Sequence, residues 1–258
     1  MIPKIIHYCW LSNDPIPEEF QKYMESWKKY LIGYEFKLWN FDIFDKESSL
    51  WVSQAFDAKK YAFATDFIRL YAVYNYGGIY MDMDVEVLKP FDDLLDRDLF
   101  FGYETSTPPR LEAGCFGATK GNLFIGECLK YYDNRPFIQE DGTFDTLVLP
   151  KIITPIYKKL VKAEPFTTDF FTAKSYRTGE ITTTKKTYTI HHFAGSWLED
   201  REAKLRDYKY KLHTKKIPVF LKDIWFQVYY AIIAFKYHGL KKGLKKGFNV
   251  FLNKIKKK

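Results

Sequence analysis

The stretch Gly77-Gly78-Ile79-Tyr80-Met81-Asp82-Met83-Asp84 carries the strongest structural and chemical signal in the chain. Its two glycines end a helical pattern, and the apolar residues after them predict a buried strand. Alternation along a strand predicts that the carboxylates of Asp82 and Asp84 lie on one face. Adjacent carboxylates repel unless a cation lies between them, and such hard oxygen ligands suit Mg²⁺ or Mn²⁺ bridging to a phosphate. The alternative is a solvated acidic turn.

The helix predicted before this strand, residues 62–76, contributes a second pair of charged residues. Asp66 and Arg69 are three residues apart and therefore share a helical face. Arginine is suited to a bidentate phosphate or carboxylate contact, and aspartate accepts hydrogen bonds from ribose or sugar hydroxyls. The alternative for this pair is an exposed surface ion pair.

Predicted strands and helices alternate outward from this centre. The strands are predicted at 2–10, 34–39, 79–83, 99–103, 115–118 and 187–192, and the helices at 17–31, 62–76, 122–132 and 146–160. Such alternation favours an α/β fold with a central sheet.

The charge of the chain is unevenly distributed. The net charge is +8, but residues 209–258 hold 14 lysines and one acidic residue, a net +13, which leaves residues 1–208 at −5. We therefore predict a catalytic domain over 1–208 and a basic C-terminal segment over 209–258. A nucleic-acid-binding module is the alternative interpretation of this charge, but no recognition helix or aromatic strand motif accompanies it.

The N-terminus and the cysteines favour a reducing compartment. Cys9, Cys115 and Cys128 are odd in number and widely spaced, which predicts reduced thiols. The first residues show no charged n-region, long apolar stretch or cleavage site, so the prediction is a cytoplasmic protein.

The basic segment contains a short apolar run. Residues 224–235 are almost wholly apolar, but a bilayer span needs about 20 residues, so we expect this run not to cross. Tyr229, Ile232 and Ile233 can share a helical face, and lysines follow, which predicts peripheral binding to the anionic inner face of the plasma membrane. The alternative is a C-terminal helix that packs on the catalytic domain.

Four motifs in order resemble glycosyltransferase family 32, the DXD sugar transferases that include capsular polysaccharide enzymes and yeast mannosyltransferases. The central block is Ala-Thr-Asp-Phe-Ile-Arg at 64–69 with Tyr-Gly-Gly-Ile-Tyr-Met-Asp-Met-Asp at 76–84. The outer motifs are Ile-Pro-Lys-Ile-Ile-His-Tyr-Cys-Trp at 2–10 and His-His-Phe-Ala-Gly-Ser-Trp at 191–197.

The resemblance implies a GT-A-like nucleotide-sugar-binding domain with a mixed central sheet flanked by helices. By position in the motif, Asp84 would bind the metal directly, and Asp82 would contact ribose and metal-bound water. Asp66 and Arg69 would contact the donor sugar.

The outer motifs imply further contacts with the donor. Trp10 would stack on the nucleotide base. Ser196 and Trp197 would reach the diphosphate and cover it as a lid, and His191 would complete the metal shell or contact phosphate. Alternation along a strand allows only one of His191 and His192 to face the site, and we choose His191. His7 is equally compatible with a hydrogen-bonded strand histidine and with a neighbour of the ligands.

The implied activity is a retaining hexosyltransferase that needs Mn²⁺ or Mg²⁺ and uses a nucleotide sugar, by expectation a UDP-sugar. The acceptor would be a saccharide, free or lipid-linked, in capsular polysaccharide biosynthesis, with residues 105–112 as its rim and no nucleic-acid partner. The enzymatic alternative is a metal-dependent phosphohydrolase, since paired carboxylates can also activate water. The sequence shows no second cluster of carboxylates or histidines that would build a two-metal centre.

Overall fold

A computed structural model describes residues 1–195, 198, 200–218, 220–234 and 236–237. Its strands are β1 (Ile5–Cys9), β2 (Glu35–Trp39), β3 (Gly78–Met81), β4 (Val85–Val87), β5 (Leu99–Phe100), β6 (Tyr103–Ser106), β7 (Pro109–Leu111), β8 (Cys115–Ala118) and β9 (Thr189–His191). Its helices are α1 (Glu18–Tyr30), α2 (Leu50–Asp57), α3 (Tyr61–Tyr76), α4 (Leu123–Leu129), α5 (Leu149–Leu160), α6 (Thr168–Phe171) and α7 (Asp200–Thr214).

The central sheet is mixed, in the order β2-β1-β3-β8-β5. Strands β2, β1 and β3 run parallel, and β8 runs antiparallel to both β3 and β5. Two short antiparallel pairs, β4 with β9 and β6 with β7, stand apart from this sheet. The predicted α/β architecture with a mixed central sheet is confirmed.

Both faces of the sheet are covered by apolar side chains, so β3 is buried at every position. Tyr80 belongs to a core cluster with Trp39, Trp51 and helix α3, whereas Ile79 and Met81 belong to a cluster with Trp27. This alternation is the expected result of a strand's two-residue period in a sheet that is buried on both sides.

Steric constraints explain why positions 77 and 78 are glycines. Gly77 ends α3 with φ of 67°, its N–H donating to Val73 O, and Gly78 has φ of 109°. A Cβ on Gly77 would lie 2.7 Å from the backbone nitrogen of Lys120, and one on Gly78 would lie 2.6 Å from Ile5 O. Only glycine therefore allows the chain to turn from α3 directly into the centre of the sheet.

Strand β3 ends earlier than predicted, so the prediction that strand alternation places Asp82 and Asp84 on one face is wrong. The strand stops at Met81, and a turn closed by Val85 N–H donating to Asp82 O at 3.1 Å follows. This turn, rather than strand alternation, directs Asp82 and Asp84 into one space. It also starts β4, which the sequence pattern did not predict because the strand has only three residues.

The described residues from 198 onward, together with 177–180, form a second compact unit, and predicted boundary residue 209 lies inside α7. A further helical segment covers 220–234. Part of the predicted apolar face is wrong: Ile233 is buried, and Tyr229 stacks on Tyr208 of α7 with ring centroids 3.9 Å apart. Tyr229 thus takes part in packing against α7. Among the residues that the structure describes, no helix has the length and hydropathy needed to cross a bilayer.

Candidate active site

A cavity of about 360 Å³ opens where β1 and β3 end. Trp10 follows β1 and lines this cavity, and Asp82 and Asp84 follow β3 and line it too. Ligands in open α/β sheets bind beyond the carboxyl ends of the strands, and the volume falls within the range of small-molecule sites. The sheet topology therefore brings the first motif and the aspartate pair to one edge.

Asp82, Asp84 and His191 form a compact cluster in this cavity. One ligand atom from each lies within 4.8 Å of the others. His191 Nε2 is 3.3 Å from Asp84 Oδ1 and 4.0 Å from Asp82 Oδ2. The pairing of β4 with β9 produces this arrangement, because the register aligns His191 with Val85, directly after Asp84.

The charges in the cluster shift the pKa values in opposite directions. Burial raises the pKa of Asp84, but the charge and hydrogen bond of His191 and the Ala194 N–H outweigh it and lower that pKa to about 2. Burial raises the pKa of Asp82, with Arg69 opposing the change and Asp84 adding to it. Burial lowers the pKa of His191, yet Glu112 and Asp84 raise it well above its ordinary value. The carboxylates thus favour a positive charge at this point, carried by the imidazole or by a bound cation.

The donor set fits a divalent cation. Two carboxylates supply hard oxygens and one imidazole supplies nitrogen, a combination that Mn²⁺ accepts and that Mg²⁺ accepts in part. The residues that could hold the ion are those predicted from the sequence, namely Asp82, Asp84 and His191.

Arg69 joins the helix α3 to this cluster. Its Nη1 donates to Ala113 O at 2.8 Å, and its Nη2 lies 3.2 Å from Asp66 Oδ1 and 3.4 Å from Asp82 Oδ1. The guanidinium also lies over the Tyr80 ring, and the Tyr80 hydroxyl donates to Asp82 Oδ1. Asp66 and Arg69 are both buried and line the cavity, so an exposed surface ion pair is the wrong description.

Burial raises the pKa of Asp66 to about 7, because the opposing charge of Arg69 compensates only in part. A carboxyl group in this range can either accept or donate a hydrogen bond near neutral pH. Asp66 is therefore adapted to contact a hydroxyl group at the cavity wall.

The remaining predicted site residues differ in placement. Trp10 lines the cavity, and its indole N–H donates to Asp14 O. Ser196 and Trp197 lie outside the described residues. His192 faces away from His191 and contacts Glu86 Oε2 at 2.9 Å.

His7 is a structural histidine. It is fully buried, its Nε2 hydrogen-bonds to Gly77 O at 2.7 Å, and its Nδ1 accepts from Trp39 Nε1 at 3.0 Å. Nε2 therefore connects β1 to the end of α3, Nδ1 connects it to Trp39 of β2, and His7 is not among the residues that line the cavity.

Three charged residues of the cavity wall were not identified from the sequence, namely Glu104, Arg110 and Glu112. The first two lie on β6 and β7, where Arg110 Nε is 3.5 Å from Glu104 Oε2. Burial raises the pKa of Glu104 to about 7, and repulsion from Glu112 adds to the effect. For Arg110 and Glu112 the available signal was their place in the predicted rim 105–112, which Glu104 precedes by one residue, but only the folded chain brings the three side chains to the cavity.

Part of the chain matches a described protein family. Residues 17–101 match the family described as "Glycosyltransferase sugar-binding region containing DXD motif". Inositol phosphoceramide mannosyltransferase 1 of Schizosaccharomyces pombe is 29% identical over 153 residues, which are 55% of this chain and 47% of that protein. An uncharacterized glycosyltransferase of Acanthamoeba polyphaga mimivirus is 34% identical over 111 residues, 39% of this chain and 43% of that protein. The chain thus spans about half the length of the curated relatives it matches.

Solved structures support the fold assignment. The PaToxG glycosyltransferase superposes with a TM-score of 0.50 at 22% identity, covering 62% of this chain and 70% of the other. At this identity the similarity concerns the fold alone, which is the GT-A-like arrangement expected from the motifs.

Proposed function

We propose that this chain, whose residues 17–101 match the DXD-containing glycosyltransferase family, transfers a hexose from a nucleotide sugar with retention of the anomeric configuration and depends on Mn²⁺ or Mg²⁺. The observation that supports this most directly is the convergence of Asp82, Asp84 and His191 at the end of β3. A divalent cation held there would supply positive charge that offsets the charge on a leaving diphosphate.

The side chains around the cluster have separate tasks in this proposal. Asp82 and Asp84 would hold the cation beside the diphosphate of the donor. Arg69, whose guanidinium is fixed by Ala113 O and Asp66, presents a rigid positive group to the donor. Asp66 accepts or donates a hydrogen bond to a sugar hydroxyl, and Trp10 supplies a flat surface for the base. Because a departing phosphate can take the acceptor proton, no strong general base is required.

The identity of the donor can be tested by nucleotide release. UDP- and GDP-linked glucose, galactose, mannose and their N-acetyl forms are incubated with the protein and Mn²⁺ or Mg²⁺, and the freed nucleoside diphosphate is measured. A UDP-sugar is the sequence-based expectation, and mannose is included first because the relatives' names specify mannosyltransferases. Release that requires both metal and Asp84 supports the proposal. Release that is independent of metal, or absent with all donors, contradicts it.

The hairpin of β6 and β7 is the proposed acceptor side. Glu104 and Arg110 face the same cavity as the aspartate pair, and a carboxylate beside a guanidinium offers both an acceptor and donors to a polyol. The names of several relatives specify inositol phosphoceramide, so a lipid whose headgroup carries sugar or polyol hydroxyls is the acceptor class we favour. A capsular saccharide, free or lipid-linked, is the alternative acceptor.

We further propose that the second unit binds an anionic membrane surface, on the inner face of the plasma membrane. Five apolar side chains of the segment 220–234 are between 53% and 62% exposed: Phe220, Ile224, Trp225, Val228 and Ile232. Lysines flank this exposed apolar face in the sequence, and the combination suits an interfacial helix. Each lysine near an anionic surface contributes about 1 kcal/mol, so binding should weaken with salt.

Vesicle sedimentation tests the membrane proposal with two matched variants. Val228→Asp places a charge on the exposed apolar face, and Gln227→Asp adds the same charge beside it. We expect the native chain and Gln227→Asp to pellet with phosphatidylserine-containing vesicles in a salt-sensitive way, and Val228→Asp to stay in solution. Equal sedimentation of both variants, or no sedimentation of the native chain, contradicts membrane binding.

The phosphohydrolase alternative is weaker. Within the part of the chain that the structure describes, one group of three metal-ligating side chains is found, whereas a two-metal hydrolase needs a second. Donor hydrolysis without acceptor should therefore be a slow side reaction. Hydrolysis faster than transfer to every acceptor tested would favour the alternative.

A further inference from the structure

Glu112 is the most buried acidic residue of the cavity wall, with 1% of its surface exposed. It lies between β7 and β8, at the end of the predicted rim 105–112 and outside the four motifs of the family resemblance. Its Oε1 accepts the Gly114 N–H and lies 3.0 Å from His191 Nδ1, and its Oε2 accepts the Thr172 hydroxyl at 3.2 Å. The two carboxylate oxygens thus hydrogen-bond to residues from three different segments of the chain.

The contact with His191 determines which ring nitrogen faces the aspartates. A carboxylate accepts hydrogen bonds, so Nδ1 carries the hydrogen and donates it to Glu112. The other nitrogen, Nε2, then points to the position between Asp84 and Asp82, at 3.3 and 4.0 Å from their oxygens. The Phe193 ring stacks on the imidazole with centroids 4.2 Å apart and limits its rotation.

We propose that Glu112 is a positioning residue that makes His191 a metal ligand: it fixes the tautomer and the ring orientation, and its negative charge increases the basicity of Nε2. Carboxylate partners of ligating histidines have this effect, and their loss typically weakens metal affinity by about 10–100-fold. The inference rests on the proposed function in one respect, namely that a divalent cation binds at Asp82 and Asp84.

A purely structural role is the competing explanation, since Glu112 also ties Gly114 and Thr172 together. Glu112→Gln separates the two roles, because the amide keeps the shape of the side chain and one oxygen acceptor but loses the charge. The matched control is Glu86→Gln. Glu86 is also the carboxylate partner of a histidine, with its Oε2 2.9 Å from His192 Nε2, but it does not line the cavity.

The experiment measures Mn²⁺ binding to the full chain, with and without UDP, by the electron paramagnetic resonance signal of free Mn²⁺. Pulsed measurements on the bound ion report nitrogen coordination. We expect Glu112→Gln to weaken Mn²⁺ binding by about 10–100-fold and to reduce the nitrogen signal, with Glu86→Gln unchanged. In a His191→Ala background, Glu112→Gln should weaken binding no further, because its effect passes through the imidazole.

Three results would overturn the inference. One is a folded Glu112→Gln protein with native Mn²⁺ affinity and nitrogen signal; another is an equal loss in Glu86→Gln; the third is a full additional loss in the His191→Ala background. If Glu112→Gln does not fold, Glu112→Asp, which withdraws the carboxylate by one methylene, must show the same weakening. Absence of Mn²⁺ binding by the native chain would instead refute the cation in the proposed function, and this inference with it.

Discussion

Gly114 lies where the three side chains of the cluster meet, so replacing it with alanine would fill the site without removing a ligand. The added Cβ would lie 2.7 Å from His191 Cε1, 2.8 Å from Asp82 Oδ2 and 2.8 Å from Glu112 Oε1. Ordinary Cβ contacts begin near 3.4 Å. Each of the three groups must therefore move by about 0.6 Å, and none is the free end of a flexible chain.

The magnitude follows from these displacements. Overpacking of this kind costs about 1–3 kcal/mol of folding free energy. Metal sites tolerate deviations in ligand distance of about 0.2 Å, so a shift of about 0.6 Å in two ligands should cost more than the 1.4 kcal/mol that equals a tenfold loss of affinity. We expect Gly114→Ala to fold, with a lower unfolding midpoint, and to bind Mn²⁺ at least tenfold more weakly.

The assay combines denaturant unfolding with Mn²⁺ titration, and Gly126→Ala is its control. A Cβ at Gly126 would approach Tyr74 Cε2 to 2.8 Å, a similar steric conflict on helix α4 that involves no cavity residue. The control should lose stability but keep Mn²⁺ binding and transfer. Native Mn²⁺ affinity in Gly114→Ala, or equal losses of affinity in both variants, would refute the placement of the cation between these side chains.

Further expectations concern single residues. Asp84→Asn should lower the transfer rate by far more than tenfold, because a tenfold loss requires only about 1.4 kcal/mol of transition-state stabilisation. Its far-UV circular dichroism should stay native, and a near-native turnover would contradict the assignment. Arg69→Lys keeps the charge but loses the planar guanidinium group that contacts both Ala113 O and Asp66, so turnover should fall at least tenfold. Full activity of this variant would mean that Arg69 has only a structural role. Asp66→Asn should raise the KM for the donor, and an unchanged KM would exclude donor contact. Burial lowers the pKa of His7 from 6.5 to about 4, so the unfolded chain binds this proton more tightly. Stability should then fall by about 3 kcal/mol as the pH drops from 6.5 to 4, less so in His7→Gln; identical pH profiles of the two proteins would contradict this.

The α/β fold was predictable because its signals are local. The helix α3, the glycines after it and the apolar strand β3 are adjacent in sequence, and each has a clear periodicity or a breaker residue. Strands of two or three residues, such as β4, β5 and β9, show no period, so their pairing could not be predicted. The convergence of Asp82 and Asp84 was expected for the wrong local reason, since a turn and not strand alternation directs them.

The residues around the proposed metal ligands were the least predictable part of the site. Glu112 is 30 residues from Asp82 in the sequence and 79 residues from His191, which it contacts. No local sequence pattern identifies it as the partner of this histidine. The same holds for the apolar segment 220–234. Its composition indicated an amphipathic helix, but which side chains pack on α7 depended on tertiary contacts.

The main-chain contact of Asp84 sets how many oxygens the site can give to an ion. Ala194 N–H donates to Asp84 Oδ2 at 2.6 Å, which leaves Oδ1 to face His191. The Tyr80 hydroxyl donates to Asp82 Oδ1, and Arg69 lies 3.4 Å from each of the two Asp82 oxygens. Oδ2, which is 4.0 Å from His191 Nε2, is the oxygen of Asp82 that is placed to bind an ion beside the histidine. Monodentate binding by both aspartates and one imidazole nitrogen fills half of the six positions that Mg²⁺ prefers. In the proposed function, the remaining positions of a bound ion would be available to phosphate oxygens of the donor and to water. An ion held by so few protein atoms should enter and leave together with the nucleotide, so its apparent affinity should rise steeply when a nucleoside diphosphate is present.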